Sequence, residues 1–199
     1  MNILVIAAHP DDEVLGMGGT IKKYSKLGHN VKIVIMATGI SSRRNIDYKN
    51  NFNYTLKNEF KPTIKKQISE LQNDSKKAAK ILGVTQIEFL DFPDNEMDLI
   101  SNLQVTKSIE KQINIFKPEI VFTHNSNDIN IDHNICFNAT LTATRPKKNS
   151  LIRKVFSYEV PSSTEWNFPS TYSPNVFVDI TKEISVKKKA LEAYKNEIQ

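Results

Sequence analysis

One imidazole and three carboxylates fall within five residues near the amino terminus: His9, Asp11, Asp12 and Glu13, in the run Ala7-Ala8-His9-Pro10-Asp11-Asp12-Glu13. His9 and Asp12 are three apart, so a turn of the chain there brings both side chains to one point. A histidine paired with a carboxylate suits zinc, but two ligands do not make a site. His133, at the start of a later helical segment, is the natural third. Two imidazoles, one carboxylate and an open position describe a catalytic zinc, and the same triad also suits iron(II). The competing account is that His9 and Asp12 only cap the helix that follows. It leaves three crowded carboxylates without a cation.

Asp11 then has a separate task. A carboxylate bound to a metal cannot also be a free base, so its neighbour is the better proton acceptor. A metal lowers the pKa of its water toward ~7, and Asp11 beside it would take that proton and pass it to a leaving amine. The chemistry open to such a set is hydrolysis of an amide. The alternative for Asp11 is a charge that complements the helix dipole. Glu13 falls in the first helical turn and reads as structural.

These residues need a rigid frame. Asn2 to Ala8 is an apolar, β-branched run suited to a central parallel strand. Val14 to Leu27 reads as a helix stopped by Gly28, and Val31 to Ala37 as a second strand. Residues 40–62 lack periodicity and read as a long loop over the site, with Arg43 and Arg44 at its start as a clamp for substrate phosphate or hydroxyls, or as plain surface charge. Then follow a helix over Thr63 to Leu82, a strand over Gln86 to Leu90 and a helix over Ser101 to Phe116. A strand over Ile120 to Thr123 and a helix over His133 to Thr144 come next. Ile152 to Val160 and Asn175 to Ile180 read as two further strands, and Thr181 as the cap of a last helix with Ile184, Ala190, Leu191 and Tyr194 on its apolar side. The alternation predicts one α/β domain over residues 1–199, a mainly parallel sheet with helices on both faces.

Composition narrows the field. The chain has 199 residues, 39% hydrophobic and 25% charged, enough for one domain with a real core. The net charge of +5 is spread over helical lysines, which are solvated faces or an attraction for an anionic substrate. No basic stretch is interleaved with aromatics, which argues against nucleic acid. The one cysteine, Cys136, excludes a disulfide framework and reads as a buried small residue. No run approaches the roughly 18 apolar residues of a membrane span. The amino-terminal apolar run is strand-length and lacks a basic leader, so a cytoplasmic location is expected.

The motifs together carry a resemblance over nearly the whole chain. His9-Pro10-Asp11-Asp12-Glu13 after an apolar strand, with Asp132-His133 further on, resembles the zinc-dependent N-deacetylases. That family (PIG-L, or LmbE-like) includes the N-acetylglucosaminyl-phosphatidylinositol deacetylases and the mycothiol- and bacillithiol-pathway deacetylases. The likeness extends through Arg43, Leu82-Gly83-Val84, Phe92-Pro93-Asp94 and Thr123-His124. Thr144-Arg145-Pro146 and Val160-Pro161-Ser162-Ser163 look similar to a bacterial subgroup encoded with surface-glycan genes.

The resemblance implies zinc ligation by His9, Asp12 and His133, Asp11 as general base, and a Rossmann-like fold without a dinucleotide. Gly16-Met17-Gly18-Gly19 agrees with that last point, since it lies inside the helix rather than in the strand-to-helix turn. Many relatives carry a histidine three residues before the distal ligand to stabilise the oxyanion. Here that residue is Asn130, which can donate a hydrogen bond but supplies no charge. His124 is the substitute candidate, and Asp132 is expected to orient a ligand from behind. Relatives commonly continue past the last helix, so a carboxyl-terminal segment with substrate contacts is expected beyond Gln199.

The expected activity is removal of an acetyl group from an N-acetylated amino sugar or sugar conjugate, with Arg43 and Asp94 as sugar contacts. The substrate is a small molecule, anionic or carrier-linked, and a homo-oligomer is compatible with the sequence. Two alternatives stay open: hydrolysis of another amide such as a thiol–glycoside conjugate, and a non-catalytic sugar- or nucleotide-binding module.

Overall fold

The computed structural model describes residues 1–40, 61–168 and 172–194; the side chains of 61–64 are outside that description. Strand β1 (Asn2–Ala7) is the middle of a five-stranded sheet with β2 (Asn30–Ala37), β3 (Gln86–Phe92), β4 (Ile120–Thr123) and β5 (Lys154–Ser157). The order is β3-β2-β1-β4-β5 and every pairing is parallel. The chain moves outward from β1 to β2 and β3, then returns to β4 on the other side of β1. The order therefore reverses between β1 and β4, where open sheets of this kind leave a crevice at the strands' carboxyl ends.

Strand β1 is buried on both faces, which its unbroken apolar sequence requires. Ile3, Val5 and Ala7 face a core shared with α1 (Asp12–Lys26), α2 (Lys61–Leu82) and α5 (Ile184–Leu191). Leu4, Ile6 and Ala8 face a second core beneath α3 (Asn102–Phe116) and α4 (Ile131–Ala143). Cys136 lies in that second core, fully buried and reduced. Among the described residues no helix is long and apolar enough to cross a membrane.

Helix α1 runs unusually close to its neighbours, and its glycines allow this. A methyl group at Gly16 would lie 2.4 Å from the Glu159 carbonyl oxygen, and one at Gly19 2.5 Å from Ile180 Cδ1. The glycine-rich run is thus a packing surface.

Several sequence expectations are corrected. Asn175 to Ile180 forms no strand. It crosses α1 instead, with Ile180 against Gly19 and the Asp179 carbonyl accepting from Lys23 Nζ at 2.8 Å. Its β-branched Ile180 packs on the glycine face of α1 instead of pairing with a strand edge, and Phe177 stays exposed. The fifth strand is shorter than Ile152 to Val160, because β4 beside it pairs over only Lys154–Ser157. Thr181 does not cap α5: its hydroxyl binds Asp179 Oδ1 at 2.6 Å, and Glu183 holds the cap position without a side-chain bond. Ile184 is half-exposed, whereas Ala190 and Tyr194 are buried. Ser101 does cap α3, and α4 begins two residues before His133, with Asn130 as its cap.

Candidate active site

The loop after β1 and the amino-terminal end of α4 meet at the β1/β4 crevice, around a cavity of about 320 Å³. His9, Asp11, Asp12, Asp94, Asn130 and His133 line it, with Asn95, Ser162 and Ser163. Six of the nine site residues read from the sequence are thus brought together. Asp132 and His124 are fully buried and outside the lining. Arg43 lies outside the described residues.

Each histidine presents one nitrogen to Asp12 and has the other held from behind. His9 Nδ1 lies 3.4 Å from Asp12 Oδ2, while its Nε2 is 2.9 Å from Asp132 Oδ2 and 3.2 Å from Asp94 Oδ1. His133 Nε2 lies 3.2 Å from Asp12 Oδ2, and its Nδ1 is 2.9 Å from Asp128 Oδ2. Four bonded ligands at zinc distances of 2.0–2.1 Å stand about 3.3 Å apart in a tetrahedron. The two separations to Asp12 match that spacing. His133 Nε2 is buried and makes no hydrogen bond among the described residues, despite its closeness to the carboxylate. A buried ring nitrogen that faces a carboxylate at 3.2 Å without a well-aligned hydrogen bond is the geometry of two ligands turned toward a shared cation. His9, Asp12 and His133 therefore fit a divalent metal.

His9, Asp94 and Asp132 also cluster within ligand reach of one another. Asp132 is already committed: its two oxygens accept from the Asn95 N–H at 2.6 Å and the Met97 N–H at 3.0 Å. That carboxylate pins His9 Nε2–H and the turn after β3 together.

Charge explains the ring states. Burial disfavours a charged His9, but the bonds and charges of Asp12 and Asp132 outweigh it and raise the ring to about 10. His133 is likewise lifted against burial, by Asp12 and Asp128, to about 9. Asp12 is pushed up by burial and pulled further down by His133 and His9, so it stays well below the usual carboxylate range. His124 is the opposite case: burial and the His133 charge hold it well below the usual imidazole value. Its Nε2 accepts from the Ala8 N–H at 2.8 Å, so the neutral ring carries its proton on Nδ1. It stacks against His133 with ring centroids 3.9 Å apart. Tyr158, from the segment after β5, donates to the Ile6 carbonyl beside it at 2.9 Å.

Asp11 precedes α1 with φ 103°, and Asn95 has φ 56°. Two of the three non-glycine residues with positive φ among the described residues thus line this cavity. Such backbone costs of order 1–3 kcal/mol each and collects at functional sites. Asn130 holds its amide in one orientation. Its Oδ1 accepts from the Asp132 N–H at 2.9 Å, so Nδ2 faces the other way, toward Asn95 Oδ1 at 3.1 Å.

The sequence reading missed Asp128. Its Oδ2 also accepts from the hydroxyls of Ser163 at 2.9 Å and Thr164 at 2.7 Å. It therefore joins His133 to the Ser162–Ser163 wall. Only its place in the polar loop before α4 marked it.

The family profile described as GlcNAc-PI de-N-acetylase, PIG-L, matches residues 4–144, which contain every ligand-type residue above. The chain is 28% identical to the uncharacterized deacetylase YaiS of Escherichia coli, over 98% of this chain and 90% of that one. It is 27% identical to the diacetylchitobiose deacetylase of Thermococcus kodakarensis, over 98% of this chain and 69% of that one. Its fold matches the N,N'-diacetylchitobiose deacetylase structure from Pyrococcus horikoshii with a TM-score of 0.73 at 24% identity, covering 100% of this chain and 71% of that one. The profile spans most of the chain and both halves of the crevice, and the chain belongs to the PIG-L family of N-deacetylases.

Proposed function

We propose that the chain hydrolyses the N-acetyl group of a small amino-sugar conjugate, with zinc held by His9 Nδ1, Asp12 and His133 Nε2. The observation that carries this is the convergence of those ligand groups, each imidazole backed by a carboxylate, on a cavity that Asp11 also lines. The metal supplies Lewis acidity, polarising the amide carbonyl and easing loss of a proton from water.

The chain's own groups do the rest. Asp11 takes a proton from the attacking water as its oxygen bonds to the carbonyl carbon. The carbon–nitrogen bond then breaks, and the same proton goes to the leaving nitrogen, giving acetate and an amine. Asn130 is the better oxyanion donor, because it lines the cavity and its Oδ1 is already engaged, which aims Nδ2. His124 lies behind His133 and positions it by stacking. Asp94, Ser162 and Ser163 give the cavity hydroxyl-binding groups suited to a sugar. Arg43 is assigned to an anionic carrier on its charge alone.

The test is metal analysis with a screen for acetate release from free, β-linked and nucleotide-linked N-acetyl sugars. Asp11→Asn should keep about one zinc per chain and lose turnover. A protein without divalent metal, or an Asp11→Asn variant with wild-type turnover, overturns the reading.

A further inference from the structure

Asp11 holds a positive φ that aspartate seldom takes. Its carbonyl accepts from the Val14 and Leu15 N–H groups at 2.8 Å each, as any helix start does. Its own N–H is used differently, donating to Glu13 Oε2 at 3.0 Å. Glu13 is fully buried although it sits in the first turn of α1. Its other oxygen, Oε1, accepts from the hydroxyl of Tyr194, just beyond α5. Among the described residues no cation pairs with Glu13. A buried carboxylate without a cation is costly, and an apolar side chain would serve the core better. The bond to Asp11 accounts for its presence.

We propose that Glu13 and Tyr194 are positioning residues for Asp11: the tyrosine fixes the Glu13 carboxylate, which draws the Asp11 N–H inward and so turns the Asp11 side chain to the cavity. The proposal rests on the reading of Asp11 as the base. It links the catalytic loop to a residue 181 positions further along the chain.

The experiment uses zinc-loaded Tyr194→Phe, Glu13→Ala and Glu13→Gln. The first readout needs no substrate: hydrogen exchange of the Asp11 amide, measured by NMR. Exchange should quicken about tenfold or more in Tyr194→Phe and Glu13→Ala, as a buried acceptor is loosened or lost. Glutamine keeps an oxygen for that N–H and should keep the protection. The second readout is acetate release from N,N'-diacetylchitobiose. Misplacing the base should lower kcat about tenfold in Tyr194→Phe and about 100-fold in Glu13→Ala, with KM and zinc content nearly unchanged. Glu13→Gln should restore most of that loss. Unchanged Asp11 protection in Glu13→Ala overturns the proposal. So does a Glu13→Gln enzyme as inactive as Glu13→Ala, which would give Glu13 a proton-transfer role. Loss of kcat in step with loss of zinc overturns it as well. A wild type inactive on every acetylated sugar would instead sink the functional reading, and amide exchange would still decide the positioning claim.

Discussion

His133 donates its Nδ1–H to Asp128 across 2.9 Å, and the same Asp128 oxygen accepts from the Ser163 and Thr164 hydroxyls. One carboxylate therefore fixes the tautomer of His133 and the position of a cavity wall. Removing the charge in Asp128→Asn should weaken metal binding by about 10–100-fold. Competition with a chelator measures this. The amide can still meet one hydroxyl, so the Ser162–Ser163 wall should stay in place and KM should change less than metal affinity. A variant that keeps full metal affinity would deny Asp128 this role.

Metal binding should be strongly pH-dependent. In the metal-free protein, against burial, Asp12 and Asp132 push His9 up to about 10, and Asp12 and Asp128 push His133 up to about 9, so both should carry protons at neutral pH. A ligand imidazole must be neutral, so loading releases about two protons and affinity rises about 100-fold per pH unit below pH 8. Calorimetry in buffers of different ionisation enthalpy counts the protons. The sign for folding is opposite. Both rings are raised above the unfolded value of about 6.5, so their contribution to the stripped fold is complete below that pH and is lost as pH climbs through 9 and 10. The melting temperature of stripped protein should fall over that window, and zinc should abolish the fall.

Gly16→Ala sets helix propensity against packing. Alanine favours a helix interior by about 1 kcal/mol over glycine. Its methyl would stand 2.4 Å from the Glu159 carbonyl and 2.5 Å from Tyr158 Cδ2. The carbonyl is backbone and cannot rotate away, so overpacking of about 1–3 kcal/mol should win. Thermal unfolding should show a lower melting temperature. A stabilised variant would mean that the segment after β5 yields freely.

How far the sequence told this in advance depends on the range of each signal. His9 and Asp12 were legible because three residues of spacing and a preceding apolar strand are local facts. His133 needed more: β4 had to lie beside β1, and alternation of strands and helices does not fix that order. Asp128 was illegible because its partners sit on α4 and on a separate turn at Ser163–Thr164, with no pattern joining them. Asn175 to Ile180 misled because β-branched content reports a fit to a packed surface, and the surface this segment meets is the glycine face of α1 rather than a neighbouring strand. Tyr194 read as one more apolar residue of the last helix, and only the fold shows its hydroxyl on Glu13.

Asn130 has two duties that substitution can separate. Its Oδ1 caps α4 through the Asp132 N–H, and its Nδ2 donates to Asn95 Oδ1, on another residue of the cavity lining. Loss of a cap costs about 1 kcal/mol, which lowers the melting temperature without touching chemistry. Loss of an oxyanion donor costs about 10²–10³ in kcat. Asn130→Ala should show both losses. Serine is as good a cap as asparagine but is too short to reach the reacting oxygen, so Asn130→Ser should keep the melting temperature and lose kcat alone. Metal content should stay at the wild-type level in both, because His133 remains held by Asp128. If Asn130→Ser turns over like wild type, the donor lies elsewhere. The buried Nδ1–H of His124, which has no partner among the described residues, is then the next group to change.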